Sequence, residues 1–354
     1  MSTMATLGVL IDIGRSAREA FFMFWETLWP IILGFGFSGA IQAFLSGRAI
    51  ERQLGTHRPS AIARSTGYGM ASSSCSYAAT AMAKSLFVKG ADFISVSVFM
   101  FASTNLVLEL GVILIALIGW QFALSEFIGG LIMIVLLVVS GSFWLRSRSV
   151  VRAGELAGRR EAPFTSTGEP TARWQRVRTR AGWADAATYT MSDLAMIRKE
   201  LVIGYGVAGV LAVVIPHSWW HTLFWPGHGI WTTVENVVVG PFIAIVSFVC
   251  SIGNVPLAAA LWQGGISFGG VISFVFADLI TFPLLLIYRR YYGTEMMLRM
   301  LAVFWLCMSV AALITEELFR ASGLLPSKRP TLIAVTHFSW NYTTYLNLLF
   351  LPAF

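Results

Sequence analysis

Two cysteine–serine pairs are the residues best suited to chemistry in this chain: Cys75-Ser76 in "SSSCSYAATAMAK" and Cys250-Ser251 in "SFVCSIGNVPLAAALW". A thiolate is a nucleophile and a ligand for soft metals and metalloids. The stretch around Cys250 carries no charge and is apolar enough to lie in a membrane, yet Gly253, Asn254 and Pro256 interrupt it. Pro breaks a helix, and an Asn in lipid needs a partner. Such a segment releases backbone N–H and C=O groups for binding. Cys75, Ser76, Cys250, Ser251 and Asn254 are therefore the candidate substrate-binding residues. The plainer alternative is that small residues here let helices pack closely. Cys307, the third cysteine, reads as a packing residue. No His or Lys stands beside either pair to favour the thiolate, no Cys-x-x-Cys occurs, and the five His are scattered in or near loops. No metal site and no cofactor are expected.

Carboxylates within apolar segments form the second group. An ionised group at the bilayer centre costs about 2.5–3.5 kcal/mol on insertion scales, so one that persists there is a candidate for function. Asp278 follows the apolar run "SFVFA", and Glu109 lies four residues beyond Asn105, which puts both on one face of a continuous helix. Asp278 and Glu109 are the candidates for proton coupling. Asn105, Glu235 and Asn236 are supporting candidates, the last two opening the stretch that leads to Cys250. Glu316 and Glu317 read as closer to water. The alternative role for each is a hydrogen bond that joins helices.

These side chains have to be held inside a bilayer. Of 354 residues, 56% are hydrophobic and 12% charged, with a mean hydropathy of +0.71. Soluble domains carry about 25% charged residues, so the composition indicates an all-α polytopic membrane protein. A net charge of +7 would suit nucleic acid. The Arg residues, however, sit between hydrophobic spans, and the expected partners are the lipid bilayer and a small-molecule substrate. Arg15 and Arg18 precede a span longer than the h-region of a secretory signal, which is about 7–15 residues. No P-loop pattern for ATP occurs.

Spans of about 20 apolar residues cross a bilayer. They are expected near 21–45, 92–118, 121–145, 199–217, 267–288, 296–315 and 331–352, with interrupted stretches at 62–88 and 236–263. The stretch from Arg146 to Arg180 holds nine Arg against three Glu and reads as a flexible cytoplasmic loop by the positive-inside rule. Arg48, Arg52, Arg58 and Arg64 place an earlier loop on the same side. Both loops can be cytoplasmic only if 62–88 enters the membrane and returns, bringing Lys84 and Lys89 back to the basic side. Each arm of about 12 residues would rise about 18 Å, half a bilayer. The expected organisation is a first transmembrane repeat over 1–145, an Arg-rich cytoplasmic loop over 146–198, a second repeat over 199–315 and a C-terminal transmembrane helix over 316–354.

The two cysteine–serine pairs are in register. Cys75-Ser76 is followed after thirteen residues by Gly90, and after eight more by Phe99, Phe101 and Ala102. Cys250-Ser251 is followed after thirteen by Gly265, and after eight more by Phe274, Phe276 and Ala277. Ala83 and Leu86 match Ala258 and Leu261 without a gap, and Asp278 takes the place of Ser103. The aromatic loop "SWWHTLFWPGHGIW" fits the outer surface, so the second copy starts from the opposite face. This predicts two inverted-topology repeats, each with a re-entrant, broken Cys-Ser hairpin that faces the other near the midplane, as in many secondary transporters.

"FVCSIGNVPLAAALWQGGISFGGVISFVFADLI" resembles the signature of the ArsP/YraQ-like predicted permeases, the family that contains organoarsenical efflux permeases. "SSSCSYAATAMAKSLFVKGADFISVSVFMFASTNL" resembles its first-half signature, and the likeness covers roughly 20–145 and 199–315. Many members have Cys-Ser-Cys-Gly where this chain has Cys75-Ser76-Tyr77, which leaves one thiol per hairpin. The resemblance implies a multi-pass permease of a bacterial inner membrane, not an enzyme. It would export a small thiophilic solute such as a trivalent organoarsenical, with proton exchange as the expected drive. The alternatives are a permease for another small solute (a sulfur anion or metal species), an intramembrane thiol oxidoreductase using Cys75 and Cys250, and a channel or membrane subunit.

Overall fold

A helix that is apolar on every side has to be enclosed on every side, and the segments Phe93–Asn105 and Phe268–Phe276 are buried at every residue. The rest of the molecule is arranged around them. The computed structural model describes residues 2–44, 47–72, 76–144, 148–159, 177–214, 230–247, 254–326 and 342–350, and no strand occurs among them. The helices are α1 (Ser2–Phe44), α2 (Gly47–Leu54), α3 (Pro59–Ser72), α4 (Ser76–Val88), α5 (Phe93–Asn105), α6 (Leu108–Leu117), α7 (Trp120–Trp144) and α8 (Arg148–Arg159). They continue as α9 (Arg180–Val214), α10 (Ile230–Ser247), α11 (Asn254–Gln263), α12 (Phe268–Phe276), a 3-10 turn (Ala277–Ile280), α13 (Phe282–Tyr292), α14 (Thr294–Ala321) and α15 (Tyr342–Phe350). Among the described residues, three helical stretches are long and apolar enough to cross a membrane: Trp120–Trp144, Phe268–Tyr292 and Thr294–Ala321.

The turns before the two enclosed helices are built alike. Gly90 and Gly265 adopt φ of 97° and 104°, a conformation that side chains resist and glycine accepts. Ala91 N–H reaches the Leu86 carbonyl at 3.0 Å, and Ile266 N–H reaches the Leu261 carbonyl at 3.3 Å. Asp92 then caps α5 by accepting from the Ile94 and Ser95 N–H groups, and Ser267 caps α12 by accepting from Gly270 N–H. Capping at these positions satisfies donors that have no partner within the helix.

The two turns lie at opposite ends of the α7–α14 pair. At one end, Phe93 packs on Tyr292 with ring centroids 5.5 Å apart, and Arg299 donates to the Trp144 carbonyl at 3.3 Å. At the other, Phe268 packs on Phe122 at 4.8 Å and on Phe319 at 5.2 Å.

Both enclosed helices break where they would otherwise continue. α5 stops at Asn105 because Ser103 and Thr104 turn their hydroxyls back onto the Met100 carbonyl and Asn105 donates to the Phe101 carbonyl. Such local bonds compete with the helix ladder. Val107 is extended, and α6 begins anew at Leu108. The single span expected over 92–118 is therefore two helices, and Glu109 on α6 does not share a helix face with Asn105 on α5. In the second half, Thr281 is extended between the 3-10 turn and α13, with Pro283 in the first turn of α13, where its missing N–H costs nothing.

In two places side chains meet backbone groups that have lost or share a helical partner. Pro241 inside α10 has no N–H for the carbonyl of Val237 four residues earlier. That carbonyl instead accepts from Ser273 Oγ at 2.6 Å and Ser309 Oγ at 2.9 Å, tying α10 to α12 and α14. Close approach of α10 and α12 requires Gly240, where an added methyl would lie 2.8 Å from the Gly270 carbonyl oxygen. Asn347 of α15 bridges two groups of α1 that bond each other in an unbroken helix: it accepts from Trp29 N–H at 2.8 Å and donates to the Trp25 carbonyl at 2.6 Å.

The Arg-rich stretch expected as a loop is helical at both described ends, since α8 and the start of α9 fall within it; residues 160–176 lie outside the described residues. The physical reason is packing. Ala153 and Ala157 of α8 are fully buried, and Thr190 of α9 donates to the Phe35 carbonyl of α1 at 3.1 Å.

The Pro241 arrangement yields a reciprocal test. Replacing Ser273 and Ser309 together by Ala leaves the Val237 carbonyl without a donor, which costs about 1–3 kcal/mol. Adding Pro241→Ala restores an N–H and should recover most of that loss. Thermal unfolding of the purified protein in detergent reads both steps. Failure of Pro241→Ala to rescue would mean that the serines act by packing alone.

Candidate functional site

The short helix α4 begins at Ser76, immediately after Cys75, and its orientation delivers the Ser76 side chain to the far half of the molecule. Ser76 Oγ donates to Asp278 Oδ2 at 2.9 Å. Both residues are almost completely enclosed, at 2% and 1% exposure. Asp278 stands in the 3-10 turn that interrupts the enclosed helix of the second half. One turn along α4, Thr80 donates to the Ser76 carbonyl at 2.7 Å. Tyr288 of α13 donates to the Leu279 carbonyl at 2.9 Å, and its ring is fully buried beside Thr80. A hydroxyl bonded to a carboxylate makes a stronger, charge-assisted contact than one bonded to a neutral group. The result is an enclosed polar cluster where the start of α4 meets the broken end of α12.

The other expected residues are distributed around this point. Cys75, Cys250 and Ser251 lie outside the described residues. Asn254 is the first residue of α11 and is fully buried, with neither amide atom bonded to a described residue. Asn105, at the end of α5, is also fully buried, and its Oδ1 has no hydrogen bond to a described residue. Asn236 on α10 is enclosed against Gly270 with both amide atoms in the same state, whereas Glu235 beside it is half-buried. Glu109 is on α6, and its side chain is outside the described set.

Glu316 joins helices. Its carboxylate accepts from Thr233 Oγ1 at 3.0 Å, from the Gly269 N–H at the start of α12 at 2.8 Å, and from Arg320 at 2.7 Å. Cys307 is buried with its sulfur 3.2 Å from Ser140 Oγ, in keeping with a packing residue.

Two buried charged residues escape the sequence reading. Lys84 was expected to return to the basic surface with Lys89, but it is completely enclosed in α4, with Nζ 5.4 Å from the centroid of the Tyr291 ring. An ammonium over an aromatic face is attracted by the ring quadrupole, and the long aliphatic stem packs in the core. Glu126 in α7 is 2% exposed and stands one turn before Gly129, which packs on the Phe276 ring two residues ahead of Asp278. Glu126 stands alone in an apolar span, which is the signal that marked Asp278.

Ser76→Ala removes a donor from the buried carboxylate and should lower stability by about 1–3 kcal/mol, whereas Ser76→Thr keeps the hydroxyl and most of the stability. Parallel melting curves of the two purified variants test this. A Ser76→Ala protein that melts with the unsubstituted protein would show that the bond bears no weight.

A family model described as a predicted permease, of the ArsP type, matches residues 20–317, a region that holds every candidate residue above. Rv2963 of Mycobacterium tuberculosis, named as a permease, is 46% identical over 306 residues, which is 84% of this chain and 75% of the relative. No solved structure matches the chain. Family and apolar helices together make this a multi-pass membrane protein and a permease. The chain belongs to the ArsP-type predicted permease family.

Proposed function

We propose that this permease is a secondary transporter of the inner membrane that exports a small thiophilic solute, such as a trivalent organoarsenical, in exchange for protons. Its halves act as two inverted repeats whose broken Cys-Ser hairpins meet at the substrate site. The observation that carries this reading is the buried bond from Ser76 Oγ to Asp278 Oδ2. It links the residue next to Cys75 with the carboxylate that follows the matching motif of the other half. Support for the inverted arrangement comes from the alike turns at Gly90 and Gly265 at opposite ends of α7 and α14.

The bond also supplies a coupling device. An ionised Asp278 holds the start of α4 through a charge-assisted hydrogen bond. Protonation weakens that hold, so the state of the carboxylate and the position of the first tip are linked. Cys75 and Cys250 provide soft ligands for the solute, and Asn254, with Ser251, provides hydrogen bonds beside the second tip. Binding energy differs between the two states of the tip, which is what a transport cycle requires.

The test uses inverted membrane vesicles with an imposed pH gradient and a trivalent methylarsenical as the transported probe. Asp278→Asn keeps the shape and cannot ionise, so gradient-driven uptake should be abolished while the protein stays folded and inserted. Cys75→Ser and Cys250→Ser should each weaken recognition of the probe, and Cys307→Ser should do little. Rates equal to the unsubstituted protein in Asp278→Asn would reduce Asp278 to a helix-joining residue. Unchanged transport after replacing both motif cysteines would remove the thiophilic substrate.

A further inference from the structure

Glu126 is positioned by its neighbours on α7. One turn before it, Phe122 packs on Trp262 and Phe268 at ring-centroid distances of 5.4 and 4.8 Å. One turn after it, a methyl added at Gly129 would lie 2.6 Å from the Phe276 ring, and one at Gly130 would lie 2.6 Å from Leu106. The face that carries Glu126 therefore looks into the space between the broken end of α12 and the break that follows α5. Glu126 Oε1 is buried there and has no hydrogen bond to any described residue. Asp278 follows Phe276 by two residues, in the turn at that broken end of α12.

A buried acceptor without a donor is costly, and two negative charges in one water-poor space are costlier still. A single proton relieves both. It gives one carboxyl an O–H donor and leaves one negative charge in place of two, as in carboxyl pairs that share a proton. We propose that Glu126 and Asp278 form one proton-binding site and hold a single proton between them. When the proton moves, an O–H bond breaks on one carboxyl and forms on the other, and the negative charge moves the opposite way. Glu126 is on the side of the Gly265 turn, close to Phe122, and Asp278 is on the side of Ser76. The pair thus connects one end of the molecule to the start of α4.

Most of the described charged groups around α7 are paired elsewhere. α5 and α12 carry none. On α14, Glu316 and Glu317 are paired with Arg320, Glu295 with Arg299 and Arg152, and Cys307 with Ser140. Tyr288 of α13 donates to the Leu279 carbonyl, Lys84 of α4 lies over Tyr291, and α6 carries Glu109.

This inference rests on the reading of Asp278 as the proton-carrying residue, and the test separates the two. A hydrophobic carbodiimide modifies carboxyls that are protonated in apolar surroundings. Applied to the full-length permease in detergent and mapped by mass spectrometry across pH, it should label Glu126 and Asp278. In Glu126→Gln, Asp278 loses its like-charged neighbour and ionises more readily, so its labelling at neutral pH should fall by about threefold or more. Asp278→Asn should lower labelling of Glu126 in the same sense, because coupling between two sites is reciprocal. The second variant gives the answer alone if the first does not fold. Labelling of each carboxyl that is indifferent to the other would overturn the pair, even if Asp278→Asn abolishes gradient-driven transport. Reciprocal labelling in a protein whose transport ignores the pH gradient would uphold the pair and sink the coupling reading instead.

Discussion

Lipid offers no hydrogen bonds, so every interruption of a helix at membrane depth has to be answered from within the protein. That constraint organises this permease. The Val237 carbonyl left open by Pro241 is met by two serines from different helices. The groups of α1 at Trp25 and Trp29 are bridged by one asparagine of α15. At the end of α5, three consecutive polar side chains fold back on two carbonyls. Two of these answers come from helices packed close by and the third from α5 itself, and the fully enclosed helices α5 and α12 lie against the long helices α7 and α14. Ser76 and Asp278 meet in that enclosed region.

Much of this was readable in the chain. The fixed spacing from each Cys-Ser pair to Gly90 and Gly265 marked a repeat, and alike turns with alike caps stand at those two glycines. The rule that an apolar segment with a carboxylate is suspect singled out Asp278, which is buried and bonded across the two halves. Other features were hidden for physical reasons. The break after Asn105 depends on side chains that compete with the backbone, and an apolar window does not register that competition. Glu126 satisfies the same rule as Asp278, but its partner comes from a distant helix, so nothing adjacent in the chain pointed to it. Lys84 looked like the end of a hairpin at the basic surface because its neighbour Lys89 is close to the turn. Its enclosure depends on Tyr291, which lies in the other half of the chain.

The two halves are alike in frame and unlike in charge. Where the first half has Ser103, bonded to its own helix, the second has Asp278, bonded to the first half. On the proposed reading, two repeated hairpins meet here, and one ionisable residue at their meeting point makes their relation sensitive to a proton. Glu126 comes from α7, outside both hairpins, and brings a second carboxyl to that place. The account therefore assigns the frame to the repeated turns and the switch to residues that the two halves do not share.

Its central claim is that the two turns open toward opposite faces of the membrane. Single cysteines introduced at Lys89 and at Gln263, beside Gly90 and Gly265, can be probed with a membrane-impermeant maleimide. Intact cells and inverted vesicles are compared, with the unsubstituted protein as background. The account predicts that Lys89→Cys is labelled in inverted vesicles and protected in intact cells, and that Gln263→Cys shows the reverse. Labelling of both positions from the same side would contradict it.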